Sequence, residues 1–156
     1  MKTENGFTML ELLVVTGLFA MLTSIAVPTV NNWLPAFRLK SAARDFHSTL
    51  QLARVTAVKR GEPVVFEMNP GAEQCTAFVD DGAGGGTAGD GIRNGSELII
   101  KTIQAPQGVD LSTPGFGTKV CYNAVGLPDV SGDIVLTNAG KTRTITLSLT
   151  GNAKIT

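Results

Sequence analysis

The sequence predicts an α+β protein: one long N-terminal helix, membrane-spanning in its first half, packed on a small antiparallel β-sheet domain. Three observations carry this prediction. Between Glu11 and Arg38 no residue is charged, and such a run is long enough to cross a bilayer as a helix. Leu39, Ala43, Phe46, Leu50, Ala53 and Ala57 then recur at alternating steps of four and three, which is one face of a helix. After Gly61 the chain breaks into short β-prone segments bounded by Gly, Asn, Pro and Asp.

The 156 residues suit one domain plus an anchor. The 13 basic and 13 acidic side chains balance, so no bulk field drives the chain onto nucleic acid or membrane. Their distribution is uneven. Arg38 to Arg60 holds six basic residues and one acid, Asp45; Gly61 to Asp133 holds ten acids and three basics. The segment after Asp133 has Lys141, Arg143 and Lys154 and no acid. Cys75 and Cys121 both follow the apolar run. Outside the cytoplasm they are expected to pair, since two cysteines without nearby histidines make a poor metal site. Closing a loop of forty-odd residues is worth about 4 kcal/mol in the chain-entropy model.

The N-terminal run raises its own question, because Glu11 is a carboxylate near the start of a membrane-length apolar segment. A secretory signal places its basic end first, then the apolar core, then a small-residue cleavage site. Here small Gly6 precedes the core, and Lys2 is the one basic residue before it. Cleavage after Gly6 would leave the whole apolar helix on the mature chain, with Glu11 one turn from a new amino terminus at Phe7.

On these residues "GFTMLELLVV" resembles the leader and N-terminal segment of type IV pilins and type II secretion pseudopilins. The matching positions are Gly6, Phe7, Thr8, Leu10 and Glu11, with Met9 in place of the commoner Leu or Ile. Pro28 matches the proline that commonly interrupts the family helix. The resemblance implies cleavage after Gly6 by a prepilin peptidase, N-methylation of Phe7, and an assembly role for Glu11. A charged Phe7 amine on a neighbouring subunit would compensate Glu11, so the filament satisfies both charges. It also implies other pilins or pseudopilins, an inner-membrane assembly platform and, before assembly, membrane lipid as partners. The expected organisation is a leader at 1–6, a membrane and filament-core helix at 7–34, its amphipathic continuation at 35–60, and a β-rich domain at 61–156. The domain would lie in the periplasm, held by a single pass through the inner membrane.

Pro28 and Pro35 remove backbone donors and are expected to kink or loosen the helix, and Gly61 to stop it. "PVVFEMN" alternates Val64, Phe66 and Met68 inward, and "CTAFVD", "ELIIKTIQ", "KVCYN", "DIVLTN" and "TRTITLSLT" read as further strands. "TNAGK" reads as a turn, "TGN" as the turn into a final short strand, and Ile145, Leu147 and Leu149 as one buried face. Together with "LARVTAVKRGEPVVF", "GDGIRNGSE", "NAVGLP" and "GKTRTITLSLTGNAKI", this order is similar to the FimT/GspH-type minor pilins and pseudopilins. That similarity implies a low-abundance subunit that primes or caps a pilus or pseudopilus.

Candidate sites are few. Asp80, Asp81, Asp90, Asn94 and Glu97 offer oxygens to calcium, but the spacing is not that of an EF-hand and the glycines read as a solvated, mobile loop. The one histidine, His47, neighbours the apolar stripe and reads as a packing residue. No metal-ligand cluster, nucleophile elbow or paired catalytic carboxylate stands out, and no cofactor or enzyme activity is expected. Some minor pilins of this type resemble DNA receptors with a Gly–basic–x–basic stretch, which "GKTR" matches at Gly140, Lys141 and Arg143. With Lys154 these would form a small phosphate-binding end of weak, salt-sensitive affinity. The plain alternative is a set of solvated turn charges, with Arg143 sharing the parity of Ile145 and Leu147 and capping a sheet edge.

Overall fold

A computed structural model describes residues 7–115 and 117–156, with residues 27–32 described by backbone alone. Helix α1 is continuous from Met9 to Arg60. The chain divides into two units, residues 1–35 and Ala36–Thr156.

In the first unit Thr8 caps the helix, its Oγ1 accepting the Glu11 amide at 3.2 Å. That is one half of the Thr-x-x-Glu capping box. The window Met9–Ala26 has a mean hydropathy of 2.0 and buries none of its residues within the molecule. Buried hydroxyls would be costly in such a segment, yet Thr16, Thr23 and Ser24 turn theirs onto carbonyls of their own helix, at 2.7 to 3.0 Å. The helix therefore carries these hydroxyls satisfied and its apolar side chains uncovered.

The second unit is organised by the other half of α1. All six stripe residues from Leu39 to Ala57 are buried, joined by Ala42. Four of the seven are alanines, which let the helix lie close on the strands beneath. Gly61 ends it in the left-handed conformation at φ +68°, its amide reaching Ala57 O at 2.9 Å.

Two antiparallel four-stranded sheets follow. The first has the order β3-β2-β1-β5, from Val64–Asn69 (β1), Gln74–Val79 (β2), Ile99–Gln104 (β3) and Lys119–Tyr122 (β5). The second has the order β4-β6-β7-β8, from Asp110–Ser112 (β4), Gly132–Asn138 (β6), Lys141–Leu147 (β7) and Ala153–Ile155 (β8). One core joins α1 to both: Val64, Phe66 and Met68 from β1, Ile134 and Leu136 from β6, Ile145 and Leu147 from β7.

The expected strands are present, with differences. Short β4 has too few residues for its alternation to show. Strand β7 ends at Leu147, so Leu149 leaves the expected buried face and is 59% exposed. The Ser148–Gly151 turn closes before it could pair.

The expected disulfide does not form: Cys75 and Cys121 are both free thiols. Register supplies the reason. Cys75 pairs with Met68 on one side of β1, and Cys121 with Val65 on the other. Two strand spacings and three residue rises separate them by roughly 14 Å, against a limit of about 7 Å for a bridge. Met68 and Val65 also differ by an odd number, so the two thiols occupy opposite faces of the sheet. Cys75 belongs to the core, whereas Cys121 lies with Val65 and Phe78 on the outer face.

Candidate functional site

Glu11 stands in the first turn of α1, where the helix dipole favours a negative charge. Its amide is used by Thr8, but among the described residues its carboxylate has no hydrogen bond or ion pair. Phe7, four residues earlier, is exposed. Gly6 lies outside the described residues, as does the Pro28 side chain. The Thr8 cap is a structural role in the same motif, and the Thr-x-x-Glu spacing was its sequence signal.

The Gly-rich acidic segment is no open loop. Asp80 is fully buried and accepts from the amides of Gly89 and Gly91 at 3.0 and 2.7 Å. Glu97 accepts from Gly82 and Asn94 at 3.2 and 2.6 Å, Asp81 from Ala83 at 3.0 Å and Asp90 from Ile92 at 2.7 Å. Each proposed oxygen donor with a carboxylate thus holds the loop's own backbone, which leaves those oxygens less free for calcium. No group of three or more His, Cys, Asp or Glu suited to a metal occurs among the described residues. The loop is instead held against the sheet: Lys119 Nζ donates to Gly91 O at 2.7 Å, and a Cβ at Gly91 would stand 3.5 Å from Cys121 Sγ. Burial first, then Asp129 and Asp80, pushes the Cys121 thiol up to about 11. Burial pushes Cys75 to about 12, with Lys101 acting against it.

His47 Nε2 donates to Ala153 O on β8 at 3.1 Å, which makes it a packing residue between helix and sheet. Arg54, about two turns further along, does more. Its Nε donates to Gly126 O at 3.0 Å, Nη1 to Gly151 O at 2.8 Å and Nη2 to Thr150 O at 3.1 Å. One guanidinium fork thereby joins the "NAVGLP" loop to the "TGN" turn. Gly126 and Gly151 have φ of +80° and +77°, and a Cβ at Gly151 would stand 2.8 Å from the Arg54 guanidinium carbon. Both glycines permit this close approach. No local pattern marked Arg54, because its partners lie far along the chain.

The three cations of the predicted basic end do not gather. Lys141 and Arg143 share the parity of Ile145 and Leu147, hence the helix-facing side of β7, at its exposed end. Lys154 pairs with Thr146 and so falls on the opposite face. In its place two helix cations join the group: Lys40, Arg44 and Arg143 line a cleft of about 250 Å³ with Ala43 and Ile155. Beside it Lys141 and Arg143 line a second of about 340 Å³ with Ala36 and Leu39. Arg38 is turned elsewhere, donating to Gln107 O at 3.3 Å.

Comparison with known proteins agrees with this architecture. Residues 42–151 match the family model of the type II transport protein GspH, and residues 1–27 match the prokaryotic N-terminal methylation motif. The chain is 27% identical over 157 residues to the pilin-like protein PilA1 of Thermus thermophilus, covering 98% of this chain and 99% of that one. A fimbrial protein of Pseudomonas aeruginosa is 29% identical over 70 residues, 45% of each chain. In fold, the type IV minor pilin FimU of Pseudomonas aeruginosa is similar at a TM-score of 0.62, 14% identity, 80% of this chain and 92% of that one. The minor pseudopilin EpsH from the type 2 secretion system of Vibrio cholerae is similar at 0.59, 13% identity, 76% and 96%. The methylation motif, the long helix and the two-sheet domain converge on one conclusion: the chain belongs to the GspH family of minor pilins and pseudopilins.

Proposed function

We propose that the chain is a low-abundance structural subunit that primes or caps assembly of a type IV pilus or type II secretion pseudopilus. One observation carries the reading: an apolar helix half that buries nothing of itself, with one carboxylate near its start. Before assembly lipid covers that helix. After cleavage behind Gly6 by a prepilin peptidase, neighbouring pilins cover it, with Glu11 facing a methylated Phe7 amine. The domain stands in the periplasm and meets the inner-membrane assembly platform on the way into the filament, and Pro28 supplies a point of bending. We read no catalytic role into the chain. The DNA-receptor reading is not adopted, because Lys154 faces away from Lys141 and Arg143 and the predicted end is divided.

The test is a purification of sheared filaments with mass spectrometry of the mature chain. The expected result is an N-methylated Phe7 terminus at a small fraction of the main subunit, and loss of filaments on deletion. A mature terminus elsewhere, or abundance equal to the main subunit, would overturn it.

A further inference from the structure

The cleft lined by Lys40, Arg44 and Arg143 concentrates positive charge. Its cations come from two elements, α1 and β7, with Lys141 beside them. None of the four makes an ion pair or side-chain hydrogen bond among the described residues. Asp45 borders Lys40 and Arg44 on their other side but pairs with neither. Like charges brought together without a counter-ion repel one another, so an anion in the cleft lowers the energy of the folded unit. Its apolar lining is Ala43 and Ile155, and that of the neighbouring cleft is Ala36 and Leu39, which suits a charged group attached to an apolar body.

The position of the cleft narrows the choice of anion. The C-terminal unit begins at Ala36, and Ala36 lines the neighbouring cleft with Lys141 and Arg143. The chain therefore enters this unit beside the cations. Three residues earlier stands Trp33, exposed, of the type enriched where a membrane span meets the headgroups. Basic residues just beyond a span attract anionic lipid, and Arg and Lys together bind phosphate by a planar fork and a point charge.

We propose that Lys40, Arg44, Lys141 and Arg143 form a site for the phosphate of an anionic phospholipid headgroup, occupied while the subunit waits in the membrane. The assignment rests on the anchored-subunit reading. It adds that the C-terminal unit, as well as the helix, is a lipid-binding element.

The full chain is reconstituted into nanodiscs of phosphatidylcholine alone or with phosphatidylglycerol, released, and examined by native mass spectrometry for retained lipid. Phosphatidylglycerol is expected to be retained over phosphatidylcholine. Each of Lys40→Gln, Arg44→Gln and Arg143→Gln is expected to lower that preference about fivefold at low salt. Lys154→Gln makes the same charge change on the opposite face and is expected to leave it unaltered. Equal retention of the two lipids, or an equal loss in Lys154→Gln, would overturn the proposal. So would retention of a duplex oligonucleotide but of neither lipid, lost in the cleft variants, which would make the cleft a nucleic-acid site. Failure of the chain to enter nanodiscs of either composition would remove the anchored-subunit reading itself, a different result from loss of lipid preference.

Discussion

The two halves of α1 share one backbone conformation and have opposite surroundings. From Leu39 to Ala57 the helix buries a narrow stripe against its own sheets; from Met9 to Ala26 it buries nothing. Composition explains the difference. The second half separates apolar from charged residues by face, so one side can be covered while the other meets water. The first half is apolar all round, so no cover from one small domain would suffice, and lipid or other helices must supply it. Stability of the fold should therefore reside in the second half and assembly in the first.

Truncation on the two sides of that divide is the sharpest contrast. Leu50→Ala removes a fully buried side chain from the core and is expected to destabilise the domain by about 2–5 kcal/mol in denaturant unfolding. Leu18→Ala, on an exposed position, is expected to leave domain unfolding unchanged. A comparable loss from Leu18→Ala would break the comparison.

Arg54→Ala comes next. It leaves the carbonyls of Gly126, Thr150 and Gly151 without their donor, and a loss of about 2–3 kcal/mol is expected, scaled from hydrogen bonds to charged groups. Faster amide exchange in both loops together would show that one side chain holds them. Exchange in neither would assign Arg54 to the surface.

How much of this was legible beforehand depends on the range of the interaction concerned. The helix stripe and the alternation of β1 and β7 are local periodicities, and the residues they name are buried except Leu149, which lies beyond the end of β7. The Thr8 cap was equally local and was passed over for the function of Glu11. The rest depends on pairing between distant segments. Cys75 and Cys121 were suitable in type and compartment, but only strand order and register place them on opposite faces. The loop from Asp80 to Glu97 has a composition that reads as mobile, yet its carboxylates turn inward to its own amides. The basic end groups Lys141, Arg143 and Lys154 by nearness in sequence, whereas Lys154 lies on the other face of the sheet and Lys40 and Arg44 join from the helix.

The free thiols give a pH prediction. The Cys75 pKa is raised by burial from an ordinary value near 9 to about 12. The folded state thus keeps a proton that the unfolded state gives up. Stability from this group is complete below pH 9 and falls as pH rises toward 12, by at most about 1.4 kcal/mol per unit. Cys75→Ala should flatten that decline in alkaline denaturant unfolding. An unchanged slope would show that the thiol does not titrate there, and non-reduced protein without free thiols would restore the bridge.

A smaller effect is expected at the β6–β7 turn. Ala139 and Gly140 both have positive φ, +48° and +75°, and this turn favours Asn-Gly over Ala-Gly. Ala139→Asn is expected to stabilise the domain by about 0.5–1 kcal/mol, as a higher denaturant midpoint at unchanged slope. A lower midpoint would contradict the turn assignment.

The division of labour along α1 is tested most directly at Glu11. Glu11→Gln keeps the shape and removes the charge, so insertion in the membrane should survive or improve. Crosslinking of the full chain to its filament neighbours, at matched membrane levels, compares Glu11, Glu11→Asp and Glu11→Gln. Recruitment is expected to be highest for Glu11, intermediate for Glu11→Asp with its shorter reach, and lowest for Glu11→Gln, with domain unfolding the same in all three. Equal crosslinking of Glu11 and Glu11→Gln would contradict the charge-pair account of assembly.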